Sequence, residues 1–152
     1  MTLADGELDI LEQEIIMELQ KDARKSFKSI AAKLKVSEST ISNRVNRLIE
    51  HDILKLEARV NPFQLKNKVV ALIGINLKQR DHESIIRKIQ EIPGVTSVWV
   101  TTGKYDLYAE VMVDSINDLN NFIFKKGLGL MDSISFTETN IMLHSQTKYL
   151  KI

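Results

Sequence analysis

At 152 residues the chain is long for one minimal domain and comfortable for two small ones. Its 43% hydrophobic and 27% charged residues suit a folded chain, and no apolar run is long enough to span a bilayer. The absence of cysteine excludes disulfides and thiolate metal sites and fits a reducing interior, so a cytoplasmic location without membrane contact is expected.

The opening stretch, MTLADGELD, is acidic and lacks the basic and apolar run of a secretory signal. Leu8 to Gln20 then reads as a helix. Asp9 and Glu12 have capping-box spacing, and Leu11, Ile15 and Leu19 form its inward stripe. Its acids are expected to form a solvated outer face, held away from phosphates.

Two short amphipathic patterns follow around a tight break. Phe27 to Leu34 places Ile30, Ala31 and Leu34 on one face, and Glu38 to Glu50 does the same with Ile41, Val45 and Leu48. Ser26 and Ser37 stand at N-cap positions. Ala31 falls where two crossing helices would touch. The pattern is that of a helix-turn-helix, whose second helix enters the DNA major groove. That helix carries Ser39, Thr40, Ser42, Asn43, Arg44, Asn46 and Arg47 outward, preceded by Ser37. Such a face is poor in helix propensity but suited to phosphates and base edges. The bland alternative is a polar surface helix of some other small bundle. The net charge of +1 hides a split, because residues 20–60 carry ten Lys and Arg against five acids. The expected DNA-contacting residues are Ser37, Ser39, Thr40, Ser42, Asn43, Arg44 and Arg47, with Ser39, Thr40, Asn43 and Arg47 reading bases.

Asp52 is expected to end the reading helix in a left-handed turn. The stretch HDILKLEARV reads as an extended wing or hinge, and Asn61-Pro62 breaks regular structure. This sets a DNA-binding domain at 1–60, a linker at 61–68 and a second domain at 69–152. In the second domain Val69 to Leu77 is an apolar strand and Asp81 caps a helix with Ile85, Ile86 and Ile89 inward. Pro93-Gly94 turns into a strand, Val95 to Thr101, and the loop TTGKYD leads to a third, Leu107 to Val113. Ser115 and Asp118 start a second helix with Ile116, Leu119, Phe122 and Ile123 inward, closed by Gly127 and Gly129. Ser133 to Leu143 is the fourth strand. The order βαββαβ is ferredoxin-like, giving an α+β chain overall. One sheet face is left for a partner, and apolar residues there favour a dimer. Trp99 is expected as a core or dimer anchor.

The loop TTGKYD has two readings. Gly103 at positive φ would aim the amides of Thr102, Gly103 and Lys104 at one point, able to hold a carboxylate, while Asp106 accepts an ammonium group. On spacing alone the simpler reading is a plain hairpin turn with Gly103 permitting the bend and Asp106 capping it. Thr137 and Thr139 either add hydroxyls to such a site or face solvent.

The ordered motifs resemble the leucine-responsive regulatory protein (Lrp/AsnC) family of transcription regulators. LD..E..I.MEL at Leu8 to Leu19 is similar to the family's opening helix, and R.S...IA..L.VS.STIS.RV.RL at Arg24 to Leu48 to its helix-turn-helix. Asn61-Pro62 falls at the usual hinge, and PGV at Pro93 to Val95 and TGKYD at Thr102 to Asp106 resemble the ligand-sensing signature. Lys35 and Asp52 depart from the family pattern, which often has Gly there, and the linker lacks its Leu-Gly step. The resemblance implies a dimer that assembles further, often to an octamer. It also implies a small effector, frequently an amino acid, bound between sensing domains. On that basis Thr101, Thr102, Gly103, Lys104, Tyr105, Asp106, Thr137 and Thr139 are the expected ligand residues.

His51, His82 and His144 lie in different elements without an acid or nucleophile at catalytic spacing, and none pairs at zinc-ligand spacing. No Gly-rich phosphate loop is present. The expectation is no enzyme, no metal and no cofactor beyond a small effector. Two further readings stand beside a ligand-responsive regulator: an architectural DNA-wrapping protein without a ligand, and an amino-acid-sensing regulatory subunit of an enzyme. The Arg44/Arg47 helix disfavours the last.

Overall fold

The computed structural model describes residues 8–78 and 82–144, residue 82 in its backbone alone. The chain divides into two compact units between Glu57 and Ala58.

The first unit is three helices: α1 (Ile10–Lys21), α2 (Phe27–Leu34) and α3 (Glu38–Glu50). Each starts at an expected cap. Asp9 accepts from the Glu12 amide while Glu12 accepts from the Asp9 amide, completing the capping box. Ser26 and Ser37 accept from the amides of Ser29 and Thr40. Ile15, Ile30, Ile41 and Val45 seal the core, with Leu11, Phe27, Leu34, Val36 and Leu54 around them. Ala31 is 5% exposed, as the close crossing of α2 and α3 requires.

Both turns use left-handed residues other than glycine. Lys35 (φ 57°) lets the Val36 amide reach the Ala31 carbonyl. Asp52 (φ 55°) lets the Ile53 amide bond to Leu48 and its own amide to Ile49, a Schellman closure. Each costs about 1 kcal/mol relative to glycine. Of the two expectations, wing or hinge, the wing is not seen, because residues 54–59 form no strand, while the boundary between the two units falls inside this stretch. The amides of Ile53 and Leu54 are both taken by the Leu48 carbonyl, and Leu54 packs on the helical core. The apolar residues there close the helix bundle, and pairing is confined to a single bridge residue, Val60.

The second unit is β1 (Val69–Leu77), α4 (His82–Gln90), β2 (Val95–Val100), β3 (Leu107–Val113), α5 (Ile116–Phe124) and β4 (Ile134–Met142). The strands form one antiparallel sheet in the order β2-β3-β1-β4. Ala71, Ile73, Ile75, Leu107, Ala109 and Val111 meet Ile85, Ile89, Leu119 and Phe122 of the helices in the core. Ile116, expected inward, is 56% exposed because it opens α5 beyond the edge of that core. The expected Asp81 cap lies outside the described residues. Gly94 takes φ +95° at the Pro93-Gly94 turn, as expected.

The segment expected as a linker belongs to this unit. Asn61 caps a short 3-10 turn, Pro62–Gln64, and Pro62 is buried. Phe63 packs with Val70, Met112 and Met142 on the sheet face that the helices leave open. That face also carries Tyr108, Glu110 and the exposed Trp99, so Trp99 is not a core residue. Glu110 is 7% exposed and accepts from the hydroxyls of Thr96 and Ser97, which makes its burial tolerable.

Candidate functional sites

Helix α3 shows its outer stripe directly. Ser39, Asn43 and Asn46 form an uncharged exposed stripe opposite the buried Ile41, Val45 and Leu48, with the acids Glu38 and Glu50 exposed at the two ends of the helix. Thr40, Ser42, Arg44 and Arg47 are half-buried on the flanks. Ser37 joins this surface through hydroxyl contacts with Ser39 (2.8 Å) and Thr40 (2.7 Å). The sequence thus places its uncharged donors outward.

The two arginines behave differently. Arg44 reaches back to α1, with one terminal nitrogen 2.6 Å from Asp9 and 3.1 Å from Glu12. Arg47 donates to the same Glu12 oxygen. Glu12 is fully buried. The acids of α1 therefore do not form only a solvated face. A second acid of that helix, Glu18, is 3% exposed and is held by Lys25, Lys33 (2.6 Å) and Lys21 (3.0 Å). The hydrogen bonds from Lys25, Lys33 and Lys21, in that order, outweigh burial and pull the Glu18 carboxyl down to about 2. Once α1 is included, residues 8–57 carry nine cations and nine acids. Residues 8–19 bring four acids and no cation, so the basic excess of five over residues 20–60 falls to one over residues 8–60.

In the second unit the loop Thr101–Asp106 is closed from within. The Thr101 amide donates to the Asp106 carbonyl (3.0 Å) and its hydroxyl to the Tyr105 carbonyl (2.6 Å). Gly103 is not in the left-handed region, and a Cβ added there would meet nothing within 4 Å. The expected positive φ is a correction: these two bonds close the loop without it. Asp106 accepts from the Leu77 amide at 2.8 Å, where the β1/β4 register slips between Asn76 and Leu77. It thus satisfies a donor that the bulge takes out of the ladder.

Tyr105 is buried over Gly74, edge-on to Tyr108 and stacked on Phe136. Its hydroxyl donates to Glu138, and Lys104 donates to the same carboxylate oxygen at 2.8 Å. Burial first, and then the Glu138 hydrogen bond, raise the Tyr105 phenol. Lys104, then Tyr105, lower Glu138, while Glu138 raises Lys104. Thr102 and Gly103 stay exposed at the tip. Thr137 and Thr139 are not brought to this cluster. Their register with Ile75 and Ile73 puts them on the helix side of β4, opposite Glu138. Glu138 and Gly74 escaped the sequence reading. The signals were an acid alternating with two threonines, and a lone glycine inside an apolar strand.

Among the described residues no group of His, Asp and Glu has the makings of a metal site, and no helix is long and apolar enough to cross a membrane. A three-helix unit exposing a polar helix, joined to a four-stranded α/β unit, has the architecture of a helix-turn-helix regulator. Residues 8–49 match the AsnC-type helix-turn-helix domain and residues 70–150 the Lrp/AsnC ligand binding domain. The chain belongs to the Lrp/AsnC family of DNA-binding transcription regulators, and its relatives are regulators, not enzymes.

The regulatory protein AsnC of Haemophilus influenzae is 33% identical over 140 residues, covering 91% of this chain and 93% of that one. An uncharacterised HTH-type transcriptional regulator of Pyrococcus horikoshii is 32% identical over 137 residues, covering 90% and 86%. The solved structure of AsnC from E. coli superposes with a TM-score of 0.74 at 32% identity, covering 93% of this chain and 96% of that one. A ligand-binding domain of this family implies a small-molecule effector.

Proposed function

We propose that this regulator reads operator DNA with the outer stripe of α3 and responds to an amino acid at the loop Thr101–Asp106. Ser39, Asn43 and Asn46 face the groove, with Ser37, Thr40 and Ser42 beside them for base edges and phosphates. Lys28 and Lys35 are exposed and join no ion pair among the described residues, so they are free for phosphates. A second copy of the chain covers the open sheet face, where Trp99 is 61% and Phe136 51% exposed. The dimer then presents two reading helices to a pseudo-palindromic site, and further assembly, up to an octamer, follows the family resemblance.

The observation that carries the effector reading is the Lys104–Glu138 pair. It is solvent-accessible, with side chains 69% and 43% exposed, and lies beside the buried Tyr105 ring. A zwitterion can insert there, its carboxylate on Lys104 and its ammonium on Glu138, replacing one ion pair by two. Thr102 and Gly103 supply neutral contacts at the tip, Thr101 holds the loop in shape behind them, and Asp106 offers its second oxygen. A fold relative from Neisseria meningitidis at 19% identity was solved as an L-Met complex, which fits this class of ligand. Effector binding shifts the equilibrium between assemblies and so the spacing of the reading helices. The experiment measures duplex binding and particle size with and without each amino acid. One that changes either supports the reading, and no effect from any removes the amino acid.

A further inference from the structure

The reading helix carries two arginines, yet both are spent inside the protein. The Glu12 carboxylate is fully buried and accepts from Arg44, from Arg47 and from the Asp9 amide. Asp9 adds a second carboxylate to Arg44. The side chains of Arg44 and Arg47 are 31% and 32% exposed, and the Arg47 Nε is buried without a hydrogen-bond partner in the described structure. These pairs span the unit, joining residues 32 and 35 positions apart.

We infer that Glu12 is a positioning residue that keeps Arg44 and Arg47 out of DNA contact, so that α3 meets the duplex through its uncharged stripe. This rests on the reading of α3 as the DNA-facing helix. Swinging both arginines to phosphates would leave the fully buried Glu12 carboxylate with the Asp9 amide alone, and a buried charge stripped of its counter-ions costs more than an exposed ion pair returns. The arginines remain on α1 when DNA binds. Two cations that would strengthen binding to any sequence are thereby neutralised, and discrimination falls to Ser39, Asn43 and Asn46. Over residues 8–57 nine cations stand against nine acids, so the helices carry no net basic excess. Glu12 sets specificity by limiting sequence-independent attraction.

The test compares full-length wild type, Glu12→Gln and Glu12→Asp on a short mixed-sequence DNA duplex over a salt series. Glu12→Gln removes the charge that holds the arginines. Each arginine freed for a phosphate steepens the plot of log K against log salt by about 0.9. Arg44 keeps Asp9, so the expected steepening is between about 1 and 2 per subunit, with tighter mixed-sequence binding at low salt. Glu12→Asp keeps the carboxylate and retains a slope near wild type. A slope unchanged or shallower in Glu12→Gln overturns the inference while leaving the DNA-facing helix intact. Wild type without salt-dependent duplex binding overturns both.

A second measurement does not depend on the variant folding. In nitrogen-labelled wild type, the side-chain signals of Arg44 and Arg47 are followed as duplex is added. They stay in place if Glu12 retains them, while the amide signals of Asn43 and Asn46 move. Shifted arginine signals would show direct DNA contact and end the proposal.

Discussion

Gly74 and Tyr105 are packed so closely that each limits what the other position can hold. A Cβ built on Gly74 lies 2.5, 2.6 and 2.7 Å from three atoms of the Tyr105 ring. Carbon atoms prefer about 3.5–4.0 Å, so the overlap is roughly 1 Å. The ring has little freedom to retreat. Its hydroxyl is tied to Glu138, its carbonyl to the Thr101 hydroxyl, and Tyr108 and Phe136 flank it. Gly74→Ala is therefore expected to cost about 1–3 kcal/mol of overpacking, plus about 1 kcal/mol if the Glu138 bond breaks. With Tyr105→Ala in the background the clash vanishes. Gly74→Ala then becomes neutral or stabilises by up to about 1 kcal/mol, because alanine restricts the unfolded chain. The single tryptophan, Trp99, lies in this unit, so its fluorescence during urea unfolding reports the right domain. The double-mutant cycle should give a coupling of about 2 kcal/mol or more. Additive effects would refute the packing of Tyr105 on Gly74.

Three other outcomes follow from the same geometry. Glu18 titrates from 4.5 in the unfolded chain to about 2 in the fold, so its contribution is fully present above 4.5 and is lost as pH falls toward 2. Thermal melting of wild type should fall through that window, and Glu18→Gln should lose that part of the acid limb; an identical limb in the variant would remove Glu18 as its source. Gly103→Val adds a side chain in open space, so stability should change by no more than about 0.5 kcal/mol while the effector response disappears. An unchanged ligand titration in that variant would place the effector elsewhere. Asp106→Ala should cost about 1–3 kcal/mol in the same urea assay, since it leaves the Leu77 amide without its acceptor. A neutral effect would deny the capping role.

The helix-turn-helix was legible because its signals are local. Ser26, Ser37 and the Asp9/Glu12 box act within one turn of their own helices, and Asp52 closes α3 through its own φ. The βαββαβ order was legible from alternation and turns for the same reason. What escaped was set by distant partners. Glu12 meets arginines more than thirty positions away, and Glu18 meets a lysine fifteen away, so a local charge count assigned both to solvent. One clue was present: both lie within about 60° of the Ile15 side of the helix. Gly103 misled because a glycine between two strands suggests a left-handed turn, whereas the bonds made by Thr101 close the loop at ordinary dihedrals. Glu138 went unnoticed because its role depends on β4 lying beside β1, a pairing that no short window reveals.

In the proposed reading the uncharged outer stripe of α3 distinguishes one DNA sequence from another, and Asn43 sits at its middle. Duplexes selected for tight binding to the wild type give the specific probe, and a mixed-sequence duplex gives the reference. Fluorescence anisotropy at fixed salt should show Asn43→Ala losing about 1–3 kcal/mol on the selected duplex and almost nothing on the mixed one. Equal affinity of wild type and variant on both duplexes would contradict the account at its root.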